Sequence, residues 1–178
     1  MYDYEEIKKI LITKNVSRNF IQFDFLDSLS KKCLKICENC PNGMLVLCET
    51  QANVKITKNK IWESNNRIQY LFSLIMDKSE NADYVNIMQR SVVLSLNKLF
   101  SIEAFNFNET NDIFIDDDKI GAVFINHSKR TKVNKDIVSC YLNKDVLLDM
   151  FEEIYEREKI DEKIIATISN YFETLIGI

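Results

Sequence analysis

The stretch "TNDIFIDDDKIGAVFI", residues 110–125, predicts a β-hairpin and carries most of the information about the fold. Its apolar run stops at three consecutive aspartates and resumes after one lysine. Because β-branched and aromatic residues stand on both sides of this short acidic break, two strands joined by a turn are favoured, at 113–115 and 120–125. Lys119 and Gly121, one of only three glycines in 178 residues, lie at the mouth of the hairpin. Taken alone, the pair favours an ordinary hairpin with a solvated lysine, and a binding site is the alternative.

Helical patterns flank the hairpin. Before it, residues 81–100 place apolar side chains near a 3.6-residue period, which predicts a helix. After it, the polar residues 126–136 predict a connection, and the chain from about residue 144 onward predicts a helical C-terminal part. His127, the only histidine, has no catalytic partner nearby in the sequence and is interpreted as incidental.

Strand patterns dominate the N-terminal half. Short continuous apolar runs between turn signals predict buried strands, and alternating polarity predicts a half-buried strand. A basic stretch without a helical stripe predicts a loop. The resulting elements are a short helix or strand at 3–13, a strand at 20–28, a helix at 28–40 ended by Pro41, buried strands at 43–51 and 68–76, and a basic loop at 54–62.

Strands that alternate with helices, without repeats or a linker, predict one α/β or α+β domain around a single sheet, spanning residues 1–178. The composition, 46% hydrophobic and 28% charged, is typical of a globular protein large enough to bury its own core. A formal net charge of −4 provides no basic field for nucleic acid. Since no segment has the pattern of a signal peptide or a bilayer-spanning run, a cytoplasmic protein is expected.

Three of the five cysteines, Cys33, Cys37 and Cys40, have the C-x3-C-x2-C spacing that holds an iron–sulfur cluster in radical-SAM enzymes. The glycine-rich loops of those enzymes are missing from this chain. A disulfide framework is disfavoured in a reducing compartment. We therefore interpret the segment as an amphipathic helix in which Cys33, Leu34 and Cys37 face the core.

Taken in chain order, five segments resemble motifs of the biotin–protein ligase catalytic domain, within the biotin/lipoate ligase family. They are "DSLS" (27–30), "ETQ" (49–51), "VKITKNKIWES" (54–64), "NETND" (108–112) and "KIGAVFI" (119–125). The spacing from the second motif to the third, and from the fourth to the fifth, matches the family's without a shift. The resemblance implies the family's fold, a mixed and mostly antiparallel sheet flanked by helices, similar to the class II aminoacyl-tRNA synthetases.

The resemblance implies catalytic roles for two hairpin residues. Lys119 would reach over the ligand, where a point charge stabilises the negative charge that grows as the α-phosphate of ATP is attacked. Asp112 would position that lysine or a magnesium ion, and Asn111 would meet the nucleotide. Gly121 would let the strand approach the bound ring, with Ala122 where the family usually has a second glycine. Asn111 and Asp112 are also typical of turn residues that start a strand.

The resemblance also implies ligand contacts in the N-terminal half. Ser28 would hydrogen-bond the ureido ring of biotin and Gln51 its amide edge, although each could be a surface polar group at a strand end. The family's nucleotide loop alternates glycine with arginine, whereas this chain keeps positive charge through lysines and lacks the glycines. The implied nucleotide contacts are Lys55, Thr57, Lys58, Lys60 and Trp62, of which the tryptophan could equally be a core residue.

The function implied by the resemblance is ATP-dependent biotin–protein ligation. Biotin and Mg-ATP would give biotinyl-AMP and pyrophosphate, and a lysine of a biotin carboxyl carrier protein would then attack the mixed anhydride. The implied cofactors are ATP and Mg²⁺, with biotin as substrate. No protein metal site, DNA-binding domain or membrane contact is expected, and the chain would be a monomer or weak homodimer. Lipoate or octanoate transfer, a non-catalytic family member that binds ligand or partner, and a purely structural domain are the alternatives.

Overall fold

A computed structural model of the chain describes residues 1–52, 69–129, 133–150 and 159–177, together with the backbone of 55–57 and 60–61. A short 3-10 turn, Cys37–Asn39, follows the second helix. In chain order the other elements are α1 (Tyr4–Ile10), β1 (Phe20–Leu26), α2 (Leu29–Ile36), β2 (Met44–Gln51), β3 (Lys55–Thr57), β4 (Lys60–Ile61), β5 (Gln69–Asp77), α3 (Tyr84–Phe100), β6 (Phe105–Phe107), β7 (Asp112–Ile115), β8 (Asp118–His127), β9 (Lys135–Asn143), α4 (Lys144–Asp149) and α5 (Ile160–Ile176).

Seven strands form one sheet in the order β1-β2-β5-β9-β8-β7-β6. Among the described strands only β1 and β2 pair in parallel, and the other neighbours in the sheet are antiparallel. This arrangement confirms the predicted mixed, mostly antiparallel sheet flanked by helices. Strands β3 and β4 pair with each other as a separate antiparallel ribbon.

Helices cover both faces of the sheet, which explains why its central strands have apolar runs instead of alternating polarity. On β5, Tyr70 and Phe72 face the core shared with α1, α3 and α5, whereas Leu71 and Ile75 face the core shared with α2. We call the second surface the α2 face. Its buried residues are Leu29, Cys33, Cys37, Met44, Val46, Cys48, Leu71, Ile75, Phe124, Val133, Ile137 and Tyr141.

Helix α3 follows the period predicted from the sequence. Met88, Val92 and Leu96, spaced four residues apart, are fully buried in the larger core. The Asp83 carboxylate caps the helix by accepting from the backbone N–H of Asn86 at 3.0 Å. Helix α5 packs beside α3, and the apolar sides of the two helices close this core against the sheet.

Helix α5 also anchors the irregular segment between α1 and β1. Glu173 accepts hydrogen bonds from three consecutive backbone N–H groups, those of residues 14–16, at 2.5, 2.8 and 2.8 Å. Burial raises the pKa of this carboxyl, but the three N–H donors outweigh burial and hold the pKa below its usual value. The charged carboxylate is therefore part of the fold.

One central strand is missing from the sequence prediction. The sequence predicts a polar connection at 126–136 and a helical part from about 144, with no strand between them, but Lys135–Asn143 forms β9 between β5 and β8. The helical part is present as α4 and α5. The apolar part of β9 is short and follows a basic segment, so no local pattern separates it from the start of a helix. The prediction of a loop at 54–62 is also wrong for the backbone of 55–57 and 60–61, which forms the ribbon β3–β4.

Candidate functional site

Lys119 and Asp112 form an ion pair at the mouth of the hairpin. The Nζ atom of Lys119 lies 2.8 Å from Oδ1 of Asp112. The Lys119 side chain is 39% exposed and the Asp112 side chain 13%, so the carboxylate is the more fixed partner and the ammonium is the one that solvent or a ligand can reach. The structure thus brings together the two residues with predicted catalytic roles.

A β-bulge makes this ion pair possible. Between β7 and β8 the register shifts by one residue, which leaves Ile120 without a partner on β7. Phe114 is then opposite Lys119. Since directly opposite residues share a face of the sheet, Lys119 lies on the same face as Phe114 and Asp112. In a regular ladder Lys119 would lie opposite Ile115 and on the other face.

The turn before β7 holds Asp112 in place. Oδ1 of Asn108 accepts from the backbone N–H of Asp112 at 3.0 Å, and the Thr110 hydroxyl lies 2.9 Å from Oδ2 of Asp112. Asn111 has a φ of +67°, a left-handed conformation that asparagine tolerates better than most residues. Turn geometry thus accounts for Asn111 without a ligand, and its nucleotide role stays a prediction.

Asn111 also lines a cleft of about 560 Å³ between the β6–β7 turn and helix α3. The α3 side of the cleft carries Asp83, Asn86 and Gln89, and Phe107 adds an apolar wall. The described lining residues include acidic and amide groups but no lysine or arginine. Because phosphates bind to positive charge, this cleft does not suit a triphosphate.

Gly121 is required by the sheet itself. A Cβ atom here would lie 2.5 Å from the carbonyl oxygen of Tyr141 and 2.5 Å from Cδ2 of Leu142, both on β9. The next nearest atom is Cβ of Ile113, which with Leu142 belongs to the core of α1, α3 and α5. The position therefore faces away from the α2 face, whereas Ala122, the next residue, faces toward it. A role for Gly121 beside a bound ring stays a prediction.

The predicted acid contacts lie where β1 and β2 end. Oε1 of Gln51 accepts from the backbone N–H of Leu29 at 2.5 Å, and the Tyr141 hydroxyl lies 3.4 Å from the same oxygen. Because a backbone N–H can only donate, the amide oxygen must face Leu29 and the nitrogen must face away. The Nε2 group of Gln51 is buried and has no partner among the described residues. Ser28 caps α2, accepting from the N–H of Lys31 at 3.4 Å.

The two groups of residues lie at the same edge of the sheet. Strands β1, β2 and β9 end at this edge and β5 and β8 begin there. From Gln51 on β2 to Lys119 on β8 there are three strand spacings, about 14 Å in all. Tyr141 on β9 lies between them, fully buried on the α2 face, with its ring edge-on to that of Phe124 at 4.8 Å. No sequence signal pointed to Tyr141, because its strand was not predicted.

The predicted nucleotide contacts lie in the basic segment. The backbone of Lys55, Thr57 and Lys60 belongs to the ribbon β3–β4. Lys58 and Trp62, and every side chain of 53–68, lie outside the described residues. The nucleotide roles of these five residues stay predictions.

The cysteine segment belongs to the core, as the sequence indicated. Cys33 and Cys37 are buried on the α2 face, and all five cysteines are free thiols. Burial raises the pKa of Cys33 to about 12. A thiol that stays protonated is a poor metal ligand and a poor nucleophile. In the described parts of the chain no three His, Cys, Asp or Glu side chains are grouped so that they could hold a metal ion.

His127 has a partner that its sequence context does not reveal. Its Nδ1 lies 2.6 Å from Oδ1 of Asp136, a buried carboxylate near the start of β9. The two residues are direct partners across β8 and β9, at the opposite end of β8 from Lys119. The His127–Asp136 pair is therefore remote from the edge of the sheet where Lys119 and Gln51 lie.

Comparisons with known proteins define the class. A family model of the lipoyl protein ligase A/B catalytic domain matches residues 67–175, more than half of the chain. The biotin protein ligase from Aquifex aeolicus in complex with biotin and ATP superposes with a TM-score of 0.68 at 19% identity, over 89% of this chain and 72% of that one. The biotin protein ligase from Leishmania major in complex with biotinyl-5-AMP superposes with a TM-score of 0.65 at 10% identity, over 86% and 75%. No curated protein matches the chain.

The chain belongs to the lipoyl protein ligase A/B catalytic domain family. It is a divergent member, with a ligase-type function and the fold of the biotin protein ligases. Within the described residues, no helix is long and apolar enough to cross a membrane.

Proposed function

We propose that the protein is an ATP-dependent biotin–protein ligase, which forms biotinyl-AMP and transfers biotin to a lysine of a carboxyl carrier protein. The observation that carries the proposal is the Lys119–Asp112 ion pair at the same sheet edge as Gln51, in a chain of this ligase family. The similar Aquifex aeolicus structure contains biotin and ATP, which supports these two substrates. The proposal includes a monomer or weak homodimer in the cytoplasm.

Lys119 supplies positive charge at the reacting phosphate. A carboxylate oxygen of the acid attacks the α-phosphorus, the bond to pyrophosphate breaks, and negative charge grows on the phosphoryl oxygens. An ammonium that is already held in place stabilises this charge without further reorganisation. Asp112 holds it, since Oδ1 of Asp112 accepts from Nζ of Lys119. The acceptor amine then attacks the acyl carbonyl, and AMP leaves.

Magnesium enters this proposal with the nucleotide. Both carboxylate oxygens of Asp112 already have partners, Lys119 on Oδ1 and Thr110 on Oδ2. The ion pair supports a role for Asp112 in positioning Lys119. Mg²⁺ is commonly held by substrate phosphates and waters with few protein ligands, so Mg-ATP is assigned as the substrate.

Gln51 favours biotin over a hydrocarbon acid. Its Nε2 group is buried without a described partner, and a buried donor left unpaired costs about 1–3 kcal/mol. The ureido carbonyl of biotin is an acceptor that can remove this cost. The dithiolane ring of lipoate and the methyl end of octanoate cannot. Sites built on buried polar groups discriminate strongly against ligands that lack the matching group.

Lipoate or octanoate transfer is the second candidate, because the matching family model is that of the lipoyl protein ligases. A non-catalytic protein that binds ligand or partner is the third. The basic segment favours this third candidate, since "VKITKNK" has no glycine to expose backbone N–H groups to a phosphate. The retained Lys119–Asp112 pair favours catalysis.

Exchange of pyrophosphate into ATP, measured with biotin, lipoate and octanoate side by side, separates the three candidates. Exchange that depends on biotin, followed by labelling of a carrier-protein lysine, is the expected result. Exchange with only the other two acids would establish the second candidate. Absence of exchange with every acid, together with no nucleotide binding by calorimetry at millimolar ATP, would contradict the enzyme and leave the binding protein.

A further inference from the structure

We propose that Tyr141 is a positioning residue for acid recognition, holding the Gln51 amide so that its Nε2 group is presented to the head group of the acid. The inference rests on the proposed function and narrows its substrate class. The acid must carry a hydrogen-bond acceptor on its distal end, because the presented group is a donor.

The orientation of the amide follows from two donors that meet one oxygen. Oε1 of Gln51 receives the backbone N–H of Leu29 at 2.5 Å and lies 3.4 Å from the Tyr141 hydroxyl. A carbonyl oxygen has two lone pairs, so the two donors fill its capacity. If the amide were reversed, its NH₂ group would face the same two groups, one of which can only donate. The correct orientation leaves Nε2 without a described partner.

Tyr141 is itself held rigidly. Its side chain is 1% exposed and its ring packs edge-on to Phe124, with the centroids 4.8 Å apart. Burial raises the pKa of the Tyr141 hydroxyl well above its usual value, so the group stays protonated and can donate. The Gln51 amide is therefore held by one donor from the first residue of a helix and one from a packed ring.

The contact also joins parts of the site that are distant in the sequence. Tyr141 belongs to β9 and Gln51 to β2, and β5 lies between these strands. On the other side of β9, Tyr141 is paired with Ala122 of β8, which is three residues after Lys119. The Tyr141 ring thus lies between Gln51, where the acid is proposed to bind, and the hairpin that carries Lys119. This relation is produced by the sheet order alone, since the two residues are 90 positions apart.

The test is Tyr141→Phe, which keeps the ring and removes only the hydroxyl. Loss of this 3.4 Å contact to Oε1 should raise the KM for biotin roughly twofold to threefold, with kcat and the KM for ATP unchanged. The inhibition constant of octanoate, measured as a competitor of biotin, should not change, because octanoate has no acceptor for Nε2. Tyr84→Phe is the matched control. Its hydroxyl donates to the Asp77 carbonyl at 2.8 Å, at the opposite end of β5, so all four constants should stay at the wild-type values.

A double-variant cycle tests whether Tyr141 acts through Gln51. Gln51→Glu keeps an acceptor for the Leu29 N–H but has no N–H to present. In that background Tyr141→Phe should raise the KM for biotin no further. Equal effects of Tyr141→Phe in both backgrounds would overturn the inference.

The remaining outcomes separate this inference from the proposed function. If wild type uses biotin and Tyr141→Phe leaves its KM unchanged, the inference fails and the function stands. An equal rise in the KM for biotin and in the inhibition constant of octanoate would indicate a packing defect and would also overturn the inference. If wild type supports exchange with no acid at all, the proposed function fails and this inference fails with it.

Discussion

At the scale of single residues, Lys119 and Gly121 lie two positions apart in one strand but have different roles. Lys119 keeps its ammonium within reach of a ligand while Asp112 holds it at 2.8 Å. Gly121, two residues later, has no room for a side chain because β9 lies against it. The sequence placed both residues in one binding site. In the structure Lys119 keeps a proposed chemical role, whereas Gly121 has a packing role.

The lysine is tested by Lys119→Ala. We expect adenylate formation to fall by roughly 10²-fold or more, because a preorganised charge at the reacting phosphate is lost. The melting temperature should change little, since an ion pair with an exposed partner contributes about 0–1 kcal/mol. The matched control is Lys135→Ala, which removes a lysine paired with Asp77 at 2.5 Å at the other edge of the sheet. Wild-type rates in Lys119→Ala would remove this residue from the mechanism.

The glycine is tested by Gly121→Ala. An added Cβ would meet the Tyr141 carbonyl at 2.5 Å, and backbone cannot move aside as a flexible side chain can. Overpacking of this kind costs about 1–3 kcal/mol, so urea unfolding should show a clear loss of stability without any ligand present. If the variant had wild-type stability but bound the acid poorly, the ligand role predicted from the sequence would be preferred to the packing role.

At the scale of elements, the start of α2 combines structural and binding roles. Two of its free N–H groups are satisfied by side chains, that of Leu29 by Gln51 and that of Lys31 by Ser28. The helix is therefore fixed to the end of β2, and any ligand held by Ser28 or Gln51 is located relative to the sheet. The bulge at Ile120 has the corresponding effect at the hairpin, because it sets the face to which Lys119 points.

Ser28→Ala separates the two roles of this residue. Loss of an N-cap should lower the free energy of unfolding by about 0.5–2 kcal/mol. If Ser28 also contacts the acid, the KM for biotin should rise as well. Asp3→Ala is the control, since Asp3 caps α1 on the other face of the sheet by accepting from the N–H groups of Glu5 and Glu6. A KM equal to that of the control would assign Ser28 to the helix alone.

At the scale of the whole molecule, α5 ties the N-terminal segment to the larger core. In addition to the three hydrogen bonds that Glu173 accepts from residues 14–16, Glu162 accepts from the backbone N–H of Asp3 at 2.8 Å, and Asn170 accepts from that of Ile12 at 2.9 Å. These contacts join residues more than 150 positions apart. Helix α5 therefore supplies the acceptors for five backbone N–H groups of the segment before β1.

The contribution of Glu173 should appear as a loss of stability in acid. The folded pKa of Glu173 lies below its unfolded value of about 4.3, so the carboxylate stabilises the fold above that pH and loses its effect as the pH falls through the folded pKa. Glu173→Gln should lower the free energy of unfolding by about 1–3 kcal/mol at pH 7. This difference from wild type should shrink below pH 4, where the wild-type side chain also becomes neutral.

Urea unfolding at several pH values measures this difference. Glu5→Gln is the control, because Glu5 is an exposed carboxylate paired with Lys8 and contributes little. A difference between wild type and Glu173→Gln that stays constant with pH would show that the charge of Glu173 is not what holds the segment.

The sequence by itself determined the elements whose signals are local. Helix α3, the strands β2 and β5, and the hairpin β7–β8 follow from periodicity and turn residues within a few positions of each other. The order of short motifs also led to the family and to Lys119, Asp112 and Gln51 as candidates. Periodicity depends only on which side chains are apolar, and a motif depends only on the order of residue types along the chain. Both can therefore be recognised without knowing which strands pair in the sheet.

Only the tertiary structure decided what depends on pairing between distant segments. β9 forms a strand because β5 and β8 pair with it on either side. Its own short apolar run does not predict a strand. The bulge at Ile120 is a property of two strands in register, as is the pairing of His127 with Asp136. Tyr141 reaches Gln51 across an intervening strand. The physical reason is the same throughout: a strand's hydrogen bonds, register and facing side chains are set by its neighbours in the sheet, and those neighbours are not its neighbours in the chain.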